Sequence, residues 1–167
     1  LNKIIDLSLF SQGYFGSLYK KNNKLFHFQY KMYIDTVCSV IKNVGININT
    51  VPVLDVRSMK GHKIIGDRSF SSDPLVVTKL GNLCIDLYKK NRIATVIKHI
   101  PGHGMSKSDS HHNLPVIKLS KKQLIKKVFK PFKMSKSFFA MTAHIIYDKY
   151  DPLYPATHSK ILINDII

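Results

Sequence analysis

The apolar residues of this chain follow two periods, one typical of helices and the other typical of buried strands. From Leu25 to Val44 they recur at helical spacing, and Gly45 follows at the position where a helix favours a left-handed cap. A second amphipathic helix is predicted to begin at Asp73-Pro74 and to end near Asn91, because proline is tolerated at the first helical position.

A third helix is predicted from a capping-box pattern, in which Ser120 is followed by Gln123. Pro131 lies within this helix and predicts a kink, because proline cannot donate a backbone hydrogen bond. The expected apolar face is formed by Leu124, Val128 and Phe132.

Three short apolar segments have the composition of buried parallel strands. They are Ile48–Val56, Ile93–Ile100 and Phe138–Ile146. They alternate with the predicted helices, and the start of a further helix follows at the end of the chain. Such alternation predicts an α/β protein with βα units around a parallel sheet, organised as a single domain over residues 1–167.

Polar residues follow the predicted strands at their carboxyl ends, where parallel sheets place their functional sites. Asp55 closes the first strand, Lys98-His99 the second and Thr142–His144 the third. Arg68 and a histidine-rich loop follow strand ends directly. We therefore expect the chemistry of this protein at that edge of the sheet, whether the sheet is open or closed into a barrel.

Composition excludes several classes of protein. With 167 residues, of which 44% are apolar, the chain can form one ordinary globular core. Cys38 and Cys84 are isolated within apolar helical patterns, which favours a reduced cytoplasmic interior over a disulfide framework. No apolar run is long enough for a membrane span, and the first residues lack the initiating Met and the pattern of a signal peptide. We therefore expect a piece of a longer protein.

The formal net charge of +16 raises nucleic acid as a partner. The excess is almost entirely lysine scattered over polar faces, and the sequence has only three arginines, Arg57, Arg68 and Arg92. Arginine is the residue suited to bidentate recognition of phosphates and bases. Neither nucleic acid nor a membrane is therefore expected as a partner.

Four histidines lie in the segment "KHIPGHGMSKSDSHHNLP", residues 98–115. His99, His103 and His111 with Asp109 could supply metal ligands, but Pro101-Gly102 excludes the helix on which His-x-x-x-His pairs normally bind zinc.

Ser110 could be a nucleophile, yet it has no Gly-x-Ser-x-Gly context. A third alternative is acid–base chemistry by His111 with Asp109 as a hydrogen-bonded partner. A polar surface loop with no chemical role is the fourth.

The loop resembles a known signature. "KHIPGHG", four residues and "DSHHNLP" are similar to the motif of the bacterial β-N-acetylglucosaminidases of glycoside hydrolase family 3, which has Phe where this chain has Ile100. The segments "GININTVPVLDV", "IIGDRSFSSDP" and "MTAHIIYDKYDPLYPAT" resemble the same family in the same order. The resemblance covers roughly residues 44–159.

This resemblance implies a (β/α)₈ TIM barrel that removes terminal N-acetylglucosamine from cell-wall muropeptides in the cytoplasm, with retention of configuration and no cofactor. It assigns proton donation to His111, oriented by Asp109, and sugar binding to Arg68, Lys98 and His99. Retaining hydrolysis also needs a nucleophilic carboxylate. The family's nucleophilic aspartate follows a later strand that this chain does not contain, and the Asp165 of the predicted last helix is no substitute.

The chain is therefore expected to form roughly the middle βα units of the barrel and to be inactive alone, with the remaining barrel segments as partners. In such a partial barrel, we expect Val51, Val53, Val96 and Ile97 to face solvent or a partner. The alternatives are a non-catalytic remnant of the enzyme and a metal-dependent hydrolase that uses the histidines.

Overall fold

The computed structural model describes residues 8–58, 65–106 and 114–167, in which helices alternate with short strands. The helices are α1 Gln12–Lys21, α2 Asn23–Asn43, α3 Pro74–Lys90, α4 Lys121–Gln123, α5 Lys130–Lys133 and α6 Lys160–Asp165. The strands are β1 Ile48–Asn49, β2 Ala94–Ile100, β3 Val116–Ile117, β4 Phe139–Thr142 and β5 Ile146–Tyr147. Single 3₁₀ turns cover Ser8–Phe10 and Gly66–Arg68.

Two parallel sheets organise these elements. β2 lies at the centre of the first sheet and pairs with β1 on one side and β4 on the other. β3 pairs with β5 in the second, two-stranded sheet. Parallel neighbours joined through helices confirm the predicted α/β class, because a parallel connection needs a crossover.

The boundaries of the first two predicted helices, which are α2 and α3 in the structure, are confirmed by their caps. α2 ends just before Gly45, whose φ of 78° lies in the left-handed region that glycine tolerates. α3 begins after Asp73, whose side chain accepts a hydrogen bond from the Leu75 amide, and its C-cap is Asn91. Helix α1, which was not predicted, is capped by Ser11.

The predicted third helix is present but its middle is wound more loosely than an α-helix. The capping box of Ser120 and Gln123 is formed in both directions. Residues Leu124–Phe129 form a π-helical stretch that joins α4 to α5 and ends two residues before Pro131. Proline has no N–H to continue the regular ladder, but Pro131 itself lies within α5, so the departure from α geometry precedes the position of the predicted kink. The predicted apolar face, Leu124, Val128 and Phe132, is buried.

The first predicted strand, Ile48–Val56, was too long. Only Ile48–Asn49 forms strand β1, and Val53 adds a single bridge to Lys98. Pro52 cannot donate to a ladder, and the Gln12 side chain takes both backbone groups of Val53, with the amide and the carbonyl each bonded at 2.9 Å. Pairing with β2 is made by the neighbouring residues, because Lys98 donates its amide to the Pro52 carbonyl and Leu54 donates to the Lys98 carbonyl. The Gln12 side chain therefore satisfies the backbone groups of Val53 that face away from β2.

The third predicted strand, Phe138–Ile146, is divided into β4 and the start of β5. Ala143 donates its amide to the Ile100 carbonyl at the end of β2, at 2.7 Å. The chain then joins the second sheet, where Ile146 pairs with Val116. The apolar run therefore serves two sheets, which a sequence pattern alone does not distinguish.

The main core lies between the first sheet and helices α1, α2 and α3. Ile97 belongs to this core and Val53 is also buried, so the expectation that both would face solvent or a partner is wrong. Thr95, Ile97 and Ile100 are the buried positions of β2, whereas Val96 is only half-buried, as is Val51. Side chains of successive strand residues point to opposite faces, so only one face of β2 packs on the helices.

The opposite face of the first sheet carries exposed apolar side chains. Phe139 pairs in register with Val96, and Met141 with Lys98. Ile48, Phe139 and Met141 are 42%, 52% and 41% exposed. This face, defined by Ile48, Val96, Phe139 and Met141, is called the open sheet face below.

Cys38 and Cys84 are both buried and free. Burial raises the pKa of the Cys38 thiol to about 11 and that of Cys84 to about 12. A thiol that is protonated at neutral pH is a poor nucleophile, so both side chains act as small apolar core residues. In the part of the chain that the structure describes, no helix combines the length and the hydropathy needed to span a membrane.

Helix α1 can approach the 65–71 segment closely only because residue 16 is glycine. A Cβ atom at Gly16 would lie 1.8 Å from the Phe70 carbonyl oxygen. We therefore expect Gly16→Ala to lower the free energy of unfolding by about 1–3 kcal/mol, the usual cost of overpacking a core. Urea denaturation measures this loss. Ser17→Ala, on the exposed side of the same helix, is the control, and an equal effect of the two substitutions would contradict this packing.

Candidate functional site

A fully buried carboxylate, that of Asp55, lies at the carboxyl end of the 51–54 segment. The extended segment before Asp55 is hydrogen-bonded to β2, because the Leu54 amide donates to the Lys98 carbonyl at 2.8 Å. The Ser69 hydroxyl donates to the Asp55 carbonyl at 2.7 Å. Asp55 is therefore fixed from β2 on one side and from the 65–71 segment on the other.

Two backbone N–H groups and one imidazole nitrogen surround the Asp55 carboxylate. His99 Nδ1 lies 2.7 Å from Oδ2, and the His103 amide donates to Oδ1 at 2.5 Å. The His99 amide is 3.3 Å from Oδ2 and 3.5 Å from Oδ1. Because a carboxylate only accepts hydrogen bonds, these donors compensate the cost of burying its charge. Asp55 thereby holds the end of β2 and the start of the histidine-rich loop together.

Lys98 extends toward Thr50, with 3.3 Å between Nζ and the threonine hydroxyl. Its pKa is lowered by burial and, to a smaller extent, by the positive charge of Arg68, while Asp55 acts in the opposite direction. Desolvation and a like charge both disfavour the ammonium form, which accounts for this direction. Lys98, Arg68 and Asp55 are therefore close enough to interact electrically.

Arg68 ends the 3₁₀ turn Gly66–Arg68 and is exposed. This turn is tied to the chain after Asp55, because Arg57 pairs with Asp67 at 3.2 Å and donates its amide to the Ser71 carbonyl at 3.0 Å. The predicted sugar-binding residues are thus brought to one edge of the sheet: Arg68, Lys98 and His99.

The start of the histidine-rich loop depends on two glycines. Gly102 has a φ of 141°, and a Cβ atom there would lie 2.4 Å from Val128 Cγ1. A Cβ atom at Gly104 would lie 2.1 Å from the Val56 carbonyl oxygen. The buried Tyr147 hydroxyl donates to the Gly102 carbonyl at 2.7 Å. Backbone packing therefore sets the path of residues 101–106.

His111 and Asp109, the predicted proton donor and its partner, lie outside the described residues, so their roles stay predictions. His144, which follows the third predicted strand, is exposed and bonds Thr157 Oγ1 at 2.7 Å through Nδ1. Sequence reasoning placed Asp55 at a strand end but gave it no role. The sequence signal available for a role of Asp55 was a single acidic residue directly after an apolar segment.

The metal alternative used His99, His103, His111 and Asp109. Among residues 8–58, 65–106 and 114–167, no three His, Cys, Asp or Glu side chains are grouped to hold a metal ion. His111 and Asp109 lie outside these ranges, so the metal alternative stays untested.

Comparison with known proteins identifies the family to which this arrangement belongs. Residues 24–167 match the glycosyl hydrolase family 3 N terminal domain. The chain is 34% identical over 127 residues to a beta-hexosaminidase of Hydrogenovibrio crunogenus, covering 74% of this chain and 35% of that protein. It is 36% identical over 129 residues to a beta-hexosaminidase of Idiomarina loihiensis, covering 76% of this chain and 38% of that protein.

The fold is similar to that of NagZ from Neisseria gonorrhoeae, which was crystallised in complex with N-trifluoroacetyl-D-glucosamine. The TM-score is 0.83 at 27% identity, and the match covers 93% of this chain and 48% of NagZ. The chain thus spans about a third of those curated relatives and about half of the solved structure. By the match of residues 24–167, the chain belongs to the glycosyl hydrolase family 3 N terminal domain family, and its fold is part of an α/β TIM barrel.

Proposed function

We propose that this chain forms the sugar-binding and acid/base part of a retaining exo-β-N-acetylglucosaminidase. The observation that carries this proposal is the grouping of Arg68, Lys98 and His99 beside the buried Asp55, at the carboxyl edge of a parallel sheet. Active sites of TIM barrels lie at this edge. The ligand crystallised with the Neisseria gonorrhoeae relative, N-trifluoroacetyl-D-glucosamine, supports an N-acetylglucosamine-type sugar as the substrate.

In this proposal, Arg68 and Lys98 donate hydrogen bonds to hydroxyl and amide oxygens of the sugar. Charge-assisted hydrogen bonds are about twice as strong as neutral ones. The pKa of Lys98 is lowered by burial first and by the charge of Arg68 second, and hydrogen bonds to the oxygen acceptors of a sugar would favour its charged form. Sugar binding would therefore relieve an unfavourable arrangement of charge.

His111, oriented by Asp109, is proposed as the acid that protonates the leaving oxygen and then as the base that activates water. Only the motif "DSHHNLP" supports these two roles. Histidine suits both steps, because its ordinary pKa is near neutral pH. A covalent glycosyl intermediate also needs a carboxylate nucleophile. We propose that a further barrel segment supplies this aspartate.

The open sheet face supports the need for further barrel segments. Side chains that point into a TIM barrel are packed in layers contributed by alternate strands. Here the inward positions Ile48, Phe139 and Met141 remain about half exposed, and β1 and β4 each pair on one side within the described sheet. We therefore propose that the 167-residue chain is inactive alone and that the remaining segments cover this face.

The biological substrate is proposed to be muropeptides that carry terminal β-linked N-acetylglucosamine, cleaved in the cytoplasm during cell-wall recycling. The sequence motif of the resemblance supports the substrate. The two buried free thiols, Cys38 and Cys84, suit a reducing compartment.

Removing Arg68 should raise the pKa of Lys98, because one of the two causes that lower it disappears. We expect Arg68→Gln to move the titration of Lys98 toward higher pH without restoring the ordinary value, since burial persists. NMR titration of the labelled Lys98 side chain measures this change. Arg57→Gln removes a nearby cation that pairs with Asp67 and should leave Lys98 unchanged. An unchanged Lys98 in Arg68→Gln would place Arg68 away from this site.

Hydrolysis of aryl N-acetyl-β-glucosaminides tests the proposed function. We expect no turnover by the 167-residue chain alone, and turnover when a polypeptide with the remaining barrel segments is added. In this mixture, His111→Ala should lose about 10²–10⁴-fold on substrates with poor leaving groups and much less on good ones, because proton donation matters most for poor leaving groups. Asp109→Ala should act in the same direction less severely.

His112→Ala is the matched control, since it removes the neighbouring imidazole of the same loop. Equal losses on good and poor leaving groups would show that His111 only supports the loop. Turnover by the isolated chain would contradict the proposed need for a second segment.

A further inference from the structure

One peptide group in the site is held from both of its ends. The carbonyl of Gly102 accepts a hydrogen bond from the buried Tyr147 hydroxyl at 2.7 Å. The amide of His103, which belongs to the same peptide group, donates to Asp55 Oδ1 at 2.5 Å. Bonds on opposite sides prevent this peptide from rotating. The two side chains come from separate parts of the chain, 92 residues apart in sequence.

The second oxygen of the Asp55 carboxylate faces the ring of His99. Oδ2 lies 2.7 Å from His99 Nδ1, and the carboxylate is fully buried. A carboxylate that already receives backbone N–H groups is an acceptor, so the proton of this bond must be on Nδ1. In a neutral imidazole, the other ring nitrogen then carries the lone pair. The side chain of His99 is 17% exposed, so it is not fully enclosed by the protein.

We infer that Asp55 is a positioning residue that fixes His99 as its Nδ1–H tautomer, leaving Nε2 to accept a hydrogen bond from a sugar hydroxyl. At the same time, Asp55 and Tyr147 each hold one end of the Gly102–His103 peptide. The identity of the hydroxyl donor rests on the proposed function, whereas the tautomer does not. His99 would thus act as an acceptor beside Lys98 and Arg68, which can only donate.

This division of roles has a consequence for sugar recognition. A sugar hydroxyl is both a donor and an acceptor, and two cations satisfy only its acceptor side. A neutral imidazole with a free Nε2 lone pair satisfies the donor side. A site with both kinds of partner disfavours analogues that lack the hydroxyl, because its polar groups would then lose a partner.

NMR of the chain labelled with ¹⁵N in its histidines tests the inference without any sugar. At mildly alkaline pH, the His99 ring should show a protonated Nδ1 and an unprotonated Nε2. In Asp55→Asn, the amide oxygen can still accept from the His103 amide, but the amide NH₂ then faces His99 Nδ1. The proton should therefore move to Nε2, and the two ring signals should exchange their character.

Tyr147→Phe is the matched control, because it removes the other bond to the Gly102–His103 peptide from a residue that is equally buried. It should leave the His99 tautomer unchanged. A structural disturbance alone would affect both variants alike, so only a change confined to Asp55→Asn supports the inference.

A wild-type His99 with its proton on Nε2, or with protons on both nitrogens, would overturn the inference. The same holds for an Asp55→Asn variant that keeps the Nδ1–H tautomer. The wild-type spectrum decides the question even if Asp55→Asn does not fold. Failure of the hydrolysis experiment would affect the proposed function alone, because the tautomer is measured in the absence of substrate.

Discussion

The buried carboxylate of Asp55 is the constraint on which the site depends. A charge removed from water is costly unless donors replace its hydration, and here the ring and amide of His99 and the amide of His103 do so. These donors come from the end of β2 and the loop after it, so satisfying one carboxylate fixes both. If Asp55 moved, the path of residues 99–103 would lose its common anchor, and the residues that we propose to bind the sugar would lose their mutual arrangement.

The rest of the fold brings other segments to this anchor. Helix α1 supports the chain before Asp55 through the Gln12 side chain and packs on the 65–71 segment through Gly16. The same segment carries Arg68 at the end of its 3₁₀ turn. From the opposite side, β5 contributes Tyr147 to the loop after β2. The carboxyl edge of the sheet is thus assembled by contacts between elements that are distant in sequence. We propose that further polypeptide covers the open sheet face.

The sequence allowed prediction of features that depend on neighbouring residues. The start of α3 at Asp73-Pro74 and the capping box of Ser120 depend on residues close in sequence, and both were predicted correctly. The strand over residues 48–56 was overestimated because strand pairing depends on partners distant in sequence, and this segment pairs with β2 at Ile48–Asn49 and then only at the Val53–Lys98 bridge. The role of Asp55 could not be predicted for the same reason, since its partners lie 44 and 48 residues later. Motif resemblance assigned sugar binding to Arg68, Lys98 and His99, and these roles stay predictions.

We propose above all that Arg68, Lys98 and His99 form one sugar site. Titration of N-acetylglucosamine into the chain, followed by NMR, tests it most directly. We expect signal changes at Lys98 and His99. We also expect Arg68→Gln to bind N-acetylglucosamine about tenfold or more weakly, which is the effect of losing a charged hydrogen bond. Arg92→Gln, just before the opposite end of β2, should bind as the wild type does. Signal changes confined to other residues, or equal affinity in Arg68→Gln and wild type, would contradict the account.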